Sequence, residues 1–332
     1  MTELSVLGAG SFGTALAIQL ARREQATQIW GRNAEHIAQL AAQRVNQRYL
    51  PDCKLPVSLK PQADLQQAVS AAQHLVVAVP SHAFRDTLQA IAPLLADGQG
   101  IACACKGLEP ETGKLPHEVF EDVLGQSRPF AVISGPTFAK EIGIGLPTAV
   151  TVASVDEVFA ELIADAFHGG VFRAYTATDV AGVEIGGAVK NVLAIGVGIA
   201  DGLQLGANTR AALITRGLAE IMRLGEALGG NRDTLMGLAG MGDLVLTCTD
   251  NQSRNRRMGL ALASGKSVAA ACEEIQQVVE GVRVAPEVQR LARRLNVEMP
   301  ITEQVVRILS GEATPVEGVK ALAGRPQKAE AE

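Results

Sequence analysis

A single lysine stands in a helical segment that is otherwise lined by very small side chains. Residues 181–200 have the apolar pattern of a helix, and positions four apart along it are Gly182, Gly186, Lys190, Ala194 and Gly198. Because burial disfavours the charged form of a lysine, Lys190 on such a face could exchange a proton near neutral pH. We predict that the bare backbone beside it makes room for reacting molecules. The alternative is close helix packing around a lysine whose charge reaches water.

Two polar clusters further along the chain could bind an anionic substrate. Asp243 follows Gly240 and Gly242 in a segment that we predict to be a flexible break, where its carboxylate could accept from a substrate hydroxyl or pair with Lys190. The run Ser253-Arg254-Asn255-Arg256-Arg257 begins a predicted helix, and a serine cap followed by cations is typical of a phosphate site. The helix dipole disfavours arginine at that end, which favours a bound anion over the alternative of a solvated charge run.

Three glycines near the N-terminus have the spacing of a dinucleotide-binding turn. Gly8, Gly10 and Gly13 form a G-x-G-x-x-G pattern that follows a predicted strand and opens a predicted helix. Gly8 would make the tight turn, Gly10 would let a pyrophosphate approach the backbone, and Gly13 would let the helix pack against the strand. This context predicts a nicotinamide dinucleotide site, so that Lys190 would face a nicotinamide and a substrate.

The end of the second predicted strand bears on the choice between NAD and NADP. An NAD site usually carries a carboxylate there for the ribose 2′-hydroxyl, whereas this strand ends at Trp30-Gly31-Arg32. The guanidinium of Arg32 could pair with a 2′-phosphate, so we predict that NADP is favoured and that both cofactors bind. The alternative is an arginine solvated in its loop.

The loops after later strands should line the same crevice. They include residues 79–81, Lys106, Gly135 and Thr137. Lys106 directly follows an apolar strand, so its ammonium group could contact a phosphate or a carbonyl oxygen. The alternative is a strand-end lysine in water.

The elements that must position these residues differ between the two halves of the chain. Short segments that are apolar on both faces alternate with amphipathic helices in the first half, which predicts an α/β doubly wound parallel sheet; the strands are 4–7, 27–30, 75–79, 100–104, 130–134 and 149–153. After Thr178 the pattern is helical and is interrupted by glycines. We predict a Rossmann-like domain over 1–178, an all-α domain over 179–323 and a disordered tail over 324–332.

Composition excludes several classes of protein. The 332 residues carry a net charge of −5 and no long basic run, which argues against nucleic-acid binding. The five cysteines and five histidines lack metal-ligand spacing, so we expect no metal site. No run of 18 apolar residues and no export signal is visible, so we expect a cytoplasmic protein without membrane insertion.

The motifs taken together resemble one family over nearly the whole chain, to about Gly318. The sequence is similar to the bacterial NAD(P)-dependent glycerol-3-phosphate dehydrogenases, and the resemblance is carried by GAGSFGTALA, WGR, VPSH, CACKGLE, SGPTFAKEI, GAVKNVLAIGVGIADGL, GLAGMGDLVLTC, SRNRR and VVEG. It implies a Rossmann-like domain followed by an all-α domain of the 6-phosphogluconate dehydrogenase C-terminal type.

The resemblance also implies roles for individual residues. It implies a cofactor site formed by Gly8, Gly10, Ser11, Phe12, Gly13, Arg32, Lys106, Ala139, Arg254, Val278 and Glu280. It implies a substrate site formed by Lys106, Gly135, Thr137, Lys190, Asp243, Ser253, Arg254 and Asn255. The resemblance also implies that Lys190 is the general acid/base.

The activity implied is reduction of dihydroxyacetone phosphate to sn-glycerol 3-phosphate with NADH or NADPH by a homodimer, feeding glycerophospholipid synthesis. Two alternatives stay open. A dehydrogenase of 3-hydroxy acids or a ketopantoate-type reductase would share the two-domain plan but would not need the cluster at Ser253. A nicotinamide-sensing protein without turnover would leave Lys190 and Asp243 without a role.

Overall fold

The structure, a computed structural model, describes residues 4–327 and 329. Its first part contains ten strands: β1 Leu4–Leu7, β2 Thr27–Trp30, β3 Val45–Asn46, β4 Leu50–Lys54, β5 Lys60–Gln62, β6 His74–Val77, β7 Ile101–Cys103, β8 Phe130–Ser134, β9 Thr148–Ala153 and β10 Phe172–Ala177. Eight of them form one sheet in the order β10-β9-β8-β7-β6-β1-β2-β5, and β3 pairs with β4 separately.

Helices cover both faces of this sheet, which confirms the doubly wound architecture. They are α1 Ser11–Arg22, α2 Ala34–Gln43, α3 Leu65–Ser70, α4 Phe84–Ile91, α5 Pro116–Leu124, α6 Ala139–Ile144 and α7 Glu157–Phe167, with 3₁₀ turns at Ser81–Ala83 and Ala92–Leu94. Val76 of β6 packs into the apolar core with α1 and α7, whereas its neighbours Leu75 and Val77 pack into the core with α4 and α5. Alternate residues of one strand thus serve opposite cores.

The prediction of an entirely parallel sheet is wrong at one pair. β9 runs antiparallel to β8, whereas the other pairs of the large sheet are parallel. An apolar pattern identifies a buried strand but carries no information about its direction. β10 was not predicted because, at the edge of the sheet, exposed residues such as Arg173 and Tyr175 interrupt its apolar pattern.

The second part is helical, as predicted. Its elements are α8 Val180–Gly202, α9 Gly206–Ala227, α10 Arg232–Met236, a π-helical turn Leu238–Gly242, α11 Asp243–Thr249, α12 Arg254–Ala263, α13 Val268–Ile275, α14 Glu280–Arg294, α15 Pro300–Leu309 and α16 Pro315–Ala323. Gly229, Gly265 and Gly311 have φ of +82°, +86° and +80°, so they follow their helices in the left-handed conformation expected of glycine stops.

The boundary at 178/179 and the tail from 324 stay predictions. β10 ends at Ala177 and α8 begins at Val180, while α16 ends at Ala323. Lys328 and residues 330–332 of the predicted tail lie outside the described residues. Among the described helices, α8 alone is long and apolar enough to cross a membrane, and its apolar window is entirely buried in the fold, as in a core helix.

The glycines of α8 do not leave room for reacting molecules, so that prediction is wrong. A Cβ on Gly186 would lie 2.6 Å from the carbonyl oxygen of Ala239, and one on Gly198 would lie 2.2 Å from that of Arg256. A Cβ on Gly182 would collide with the Asp179 carboxylate. The glycines instead allow the π-helical turn and α12 to pack directly on the backbone of α8. This is the close packing of the alternative, but the charge of Lys190 does not reach water as that alternative required.

The segment around Asp243 also differs from the prediction of a flexible break. The π-helical turn Leu238–Gly242 leads directly into α11, whose first residue is Asp243. A Cβ on Gly240 would lie 1.9 Å from the carbonyl oxygen of Leu235, so this glycine permits a tight turn. Asp243 therefore lies in a regular helix and not in a flexible break.

We expect Gly198→Ala to lower the free energy of unfolding by about 1–3 kcal/mol, because its methyl group would overlap the backbone of α12. The matched control is Gly196→Ala on the same helix. A Cβ at position 196 would lie 3.1 Å from a methyl group of Val305, which can shift. Alanine also favours a helix by about 1 kcal/mol over glycine, so this control should not lose stability. Urea denaturation measures both variants. Equal stability of Gly198→Ala and the wild type would contradict the packing described.

Candidate active site

The glycine-rich turn has the shape that a dinucleotide requires. Gly8 has a φ of +126°, and a Cβ there would lie 2.3 Å from the carbonyl oxygen of Ala78. A Cβ on Gly13 would lie 1.9 Å from the carbonyl oxygen of Gly8, whereas one on Gly10 would meet no atom within 4 Å. The turn is therefore closed where it packs and open over Gly10, at the N-terminus of α1. These residues fit a pyrophosphate.

Lys190 lies inside the protein with a carboxylate and a hydroxyl as partners. Its side chain is 7% exposed, and its Nζ donates to Oδ1 of Asp243 at 2.6 Å and to Oγ1 of Thr247 at 2.9 Å. Burial lowers the pKa of Lys190 to about 8, although the charge of Asp243 opposes this shift. Lys106 adds to the lowering because its positive charge is close. Lys190 is therefore poised to change protonation state near neutral pH.

Lys106 reaches the same carboxylate from the sheet. It follows β7, and its Nζ donates to Oδ2 of Asp243 at 2.7 Å, to the carbonyl oxygen of Gly135 at 2.9 Å and to Oγ1 of Thr137 at 3.1 Å. The ammonium also lies 5.5 Å from the ring centroid of Phe12, which begins the glycine-turn helix. The structure thus brings together five predicted substrate residues: Lys106, Gly135, Thr137, Lys190 and Asp243.

Two lysines share the single carboxylate of Asp243, which leaves the cluster with a net positive charge when both are protonated. Asp243 is 1% exposed and pairs one oxygen with each lysine. With both lysines protonated, two positive charges face one negative charge, so the cluster favours an anion or an oxygen that gains negative charge. Its position at the carboxyl ends of β7 and β8 is where ligands of open α/β sheets bind.

The start of α12 is ordered by buried amides. Asn255 donates through Nδ2 to Oδ1 of Asn191 at 2.8 Å, and its own Oδ1 accepts from the backbone N–H of Gly281 at 2.9 Å. Ser253 caps the helix by accepting from the N–H of Arg256. Arg256 itself turns away to pair with Asp201 at 2.6 Å. Within the predicted phosphate cluster, Arg256 therefore supports the fold.

The segment before α14 connects the helical domain to the glycine-rich turn. Gln277 accepts from Oγ of Ser11 at 3.4 Å, and Glu280 accepts from Oγ of Ser81 at 3.0 Å. Arg254 donates to the carbonyl oxygen of Val278 at 2.9 Å. Burial raises the pKa of Glu280 and lowers the pKa of Arg254. The segment around Val278 and Glu280 therefore lies next to the predicted cofactor crevice.

Arg32, a predicted cofactor residue, lies away from the lysine cluster. Arg32 is exposed after β2, on the far side of β1 from Lys106. Ala139 is half-buried at the start of α6. Sequence reasoning missed Thr247 and Gln277. Thr247 is four residues after Asp243 and so shares its helix face, a signal that could have identified it.

Comparisons with known proteins agree with this geometry. The family model described as NAD-dependent glycerol-3-phosphate dehydrogenase N-terminus matches residues 3–160, and the corresponding C-terminus model matches residues 179–320. A protein of Pseudoalteromonas translucida named glycerol-3-phosphate dehydrogenase (NAD(P)+) is 56% identical over 330 residues, which is 99% of this chain and 98% of that protein. A Xanthomonas campestris protein of the same name is 53% identical over 328 residues, covering 99% and 96%.

A solved structure shows the same similarity. The crystal structure of glycerol-3-phosphate dehydrogenase from Coxiella burnetii superposes with a TM-score of 0.94 at 46% identity, covering 98% of this chain and 99% of that one. The match therefore extends over both domains and the crevice between them. The chain belongs to the NAD-dependent glycerol-3-phosphate dehydrogenase family.

Proposed function

We propose that this chain is an oxidoreductase that interconverts dihydroxyacetone phosphate and sn-glycerol 3-phosphate with NADH or NADPH. The observation that carries the proposal is a buried lysine with a pKa near 8 that shares a carboxylate with a second lysine beside a dinucleotide-binding turn. The names of the relatives, which include both the substrate and NAD(P)+, support the same reaction.

Lys190 acts as the general acid in the reduction. A bound NAD(P)H supplies the hydride that converts the carbonyl carbon into an alcohol carbon. The ammonium of Lys190 transfers a proton to the oxygen at which negative charge develops, and the amine takes the proton back in the reverse direction. Asp243 and Thr247 hold Nζ in place through two hydrogen bonds. Lys106 stabilises the same developing charge.

The start of α12 binds the phosphate group of the substrate. The capped N-terminus at Ser253 presents the positive end of a ten-residue helix, and Arg254 adds a charged guanidinium. Asn255 positions this turn through its bonds to Asn191 and Gly281. Binding at a group remote from the reacting carbon aligns the carbonyl and lowers the entropic part of the barrier.

Further proposals concern the setting of the enzyme. Arg32 favours NADP over NAD through the 2′-phosphate. The chain acts in the cytoplasm as a homodimer, and its product feeds glycerophospholipid synthesis. These proposals are supported by the motif resemblance and, for the absence of membrane insertion, by the complete burial of the apolar window of α8.

The substrate proposal is tested by loss of NADPH absorbance with three carbonyl compounds. We expect dihydroxyacetone phosphate to be reduced, and ketopantoate and methylmalonate semialdehyde to react at least about a hundredfold more slowly, because they lack the phosphate that α12 binds. Faster reduction of either carboxylate would favour the alternative reductases. Cofactor binding without turnover of any of the three would favour a sensing protein.

We expect Lys190→Met to lower kcat about 10²- to 10⁴-fold, since the variant lacks the proton donor. NADPH binding should persist, because Asp243 keeps Lys106 as its partner and the glycine-rich turn is untouched. Steady-state kinetics and fluorescence titration measure the two effects. Lys320→Met, at an exposed position of α16, is the control. A near-normal kcat for Lys190→Met would contradict the assignment of Lys190 as the general acid.

The pH profile should follow the pKa of Lys190. Reduction needs the ammonium form, so its rate should fall as pH rises through about 8, whereas oxidation needs the amine and should rise over the same interval. Asp243→Asn removes the negative charge that raises the pKa, so both inflections should move to lower pH. Inflections that stay in place, or move upward, in this variant would contradict the assignment.

A further inference from the structure

Two exposed arginines, one from each domain, form no hydrogen bond or ion pair with the described residues. Arg32 follows β2 of the sheet domain, and Arg283 lies in the first turns of α14 in the helical domain. Over residues 4–327 and 329, neither guanidinium has a hydrogen bond or an ion pair. Arg254, by contrast, donates to the carbonyl oxygen of Val278.

His82 lies close to both of these arginines. Its neighbour Ser81 donates to Oε2 of Glu280 at 3.0 Å, which brings the turn after β6 against the start of α14. Arg283 is three residues after Glu280 and therefore on the same face of that helix. Burial lowers the pKa of His82, and the charges of Arg283 and then Arg32 lower it further. Both guanidinium groups are thus near enough to act on one imidazole.

The described carboxylates nearby form no ion pair with these cations, although the charge of Arg283 opposes the burial that raises the pKa of Glu280. Asp86 raises the pKa of His82 and so lies near the imidazole. Glu280 is one turn before Arg283 and accepts from Ser81. In the described part of the chain, neither carboxylate is within ion-pair distance of Arg32 or Arg283. Two cations that converge on one imidazole without a directly paired carboxylate repel each other, so this position favours an added anion.

The position and the chemistry identify the anion. In a doubly wound dinucleotide-binding sheet, the end of the second strand is where the 2′-oxygen of the adenosine ribose binds, and an arginine there accommodates a 2′-phosphate. A phosphomonoester carries close to two negative charges and accepts from two guanidinium forks at once. We propose that Arg283, from the helical domain, binds the 2′-phosphate of NADP together with Arg32 and so helps to set the preference for NADP.

This inference depends on the proposed use of NAD(P) and adds a residue that the sequence patterns did not single out. It also assigns the helical domain a part in cofactor selection, because α14 carries Arg283 to the adenosine end of the crevice. The other phosphates that two arginines could bind are those of the pyrophosphate. Nucleotides with and without a 2′-phosphate distinguish the two sources.

The test is isothermal titration calorimetry, which measures the affinity of the full chain for 2′,5′-ADP and for 5′-ADP at one fixed low salt concentration. We expect Arg283→Met and Arg32→Met each to weaken binding of 2′,5′-ADP about tenfold or more, and to change binding of 5′-ADP by less than about twofold. The affinity of Arg283→Lys for 2′,5′-ADP should lie between those of the wild type and Arg283→Met, because lysine keeps the charge but lacks the forked guanidinium group. The control is Arg294→Met, which removes an equal charge from an exposed site further along α14.

Retained binding of 5′-ADP shows that the variant is folded, so a selective loss supports the inference. Unchanged affinity of Arg283→Met for 2′,5′-ADP would overturn it, and so would equal weakening of both nucleotides, which would place Arg283 at the pyrophosphate. A wild-type chain that binds both nucleotides equally would also overturn it while leaving reduction with NADH intact. Failure of the proposed function would appear separately, as no oxidation of either NADH or NADPH with dihydroxyacetone phosphate.

Discussion

The burial of one ammonium group beside one carboxylate governs the arrangement of the site. A charged lysine in a protein interior is costly unless it is paired and hydrogen-bonded, and Lys190 finds both kinds of partner in Asp243 and Thr247. The cost of burial is what brings its pKa from an ordinary lysine value to about 8. The same carboxylate, by opposing this shift, keeps much of the lysine protonated at neutral pH. The ability of Lys190 to donate a proton and to take it back therefore depends on the balance between its burial and the charge of Asp243.

The remaining structure serves to hold that pair against the sheet. Glycines on α8 let the π-helical turn and α12 lie directly on its backbone, and the turn ends at Asp243. The strand before Lys106 ends where this side chain reaches the other oxygen of Asp243, so the carboxylate joins the two domains. On the cofactor side, Gln277 before α14 meets Ser11, and Glu280 at the start of α14 meets Ser81. Each domain thus contributes to both the substrate end and the cofactor end.

The sequence was sufficient to predict a doubly wound sheet followed by helices, and it singled out most of the residues that meet at Asp243, for physical reasons. Buried strands and the glycine-rich turn have local patterns, and Lys190 was recognisable as a lone long side chain among small ones. The antiparallel β9 was not predictable, because direction leaves no trace in apolar periodicity. The glycines of α8 could be interpreted as open space or as close packing, and only the position of the neighbouring backbone decides between these. The bond between Ser11 and Gln277, and the nearness of Arg283 to His82, bring together distant parts of the chain, which no local pattern encodes.

The most direct test of this balance is the pKa of the Lys190 ammonium group itself. NMR titration of the full chain with lysine labelled at the ε-carbon would report it, and the Lys190→Arg variant would identify the signal by its loss. We predict one lysine that titrates near pH 8, well apart from the exposed lysines near 10.4. A Lys190 signal that titrates with the exposed lysines would contradict the account, because the group would then be an ordinary ammonium ion without the burial on which its role depends.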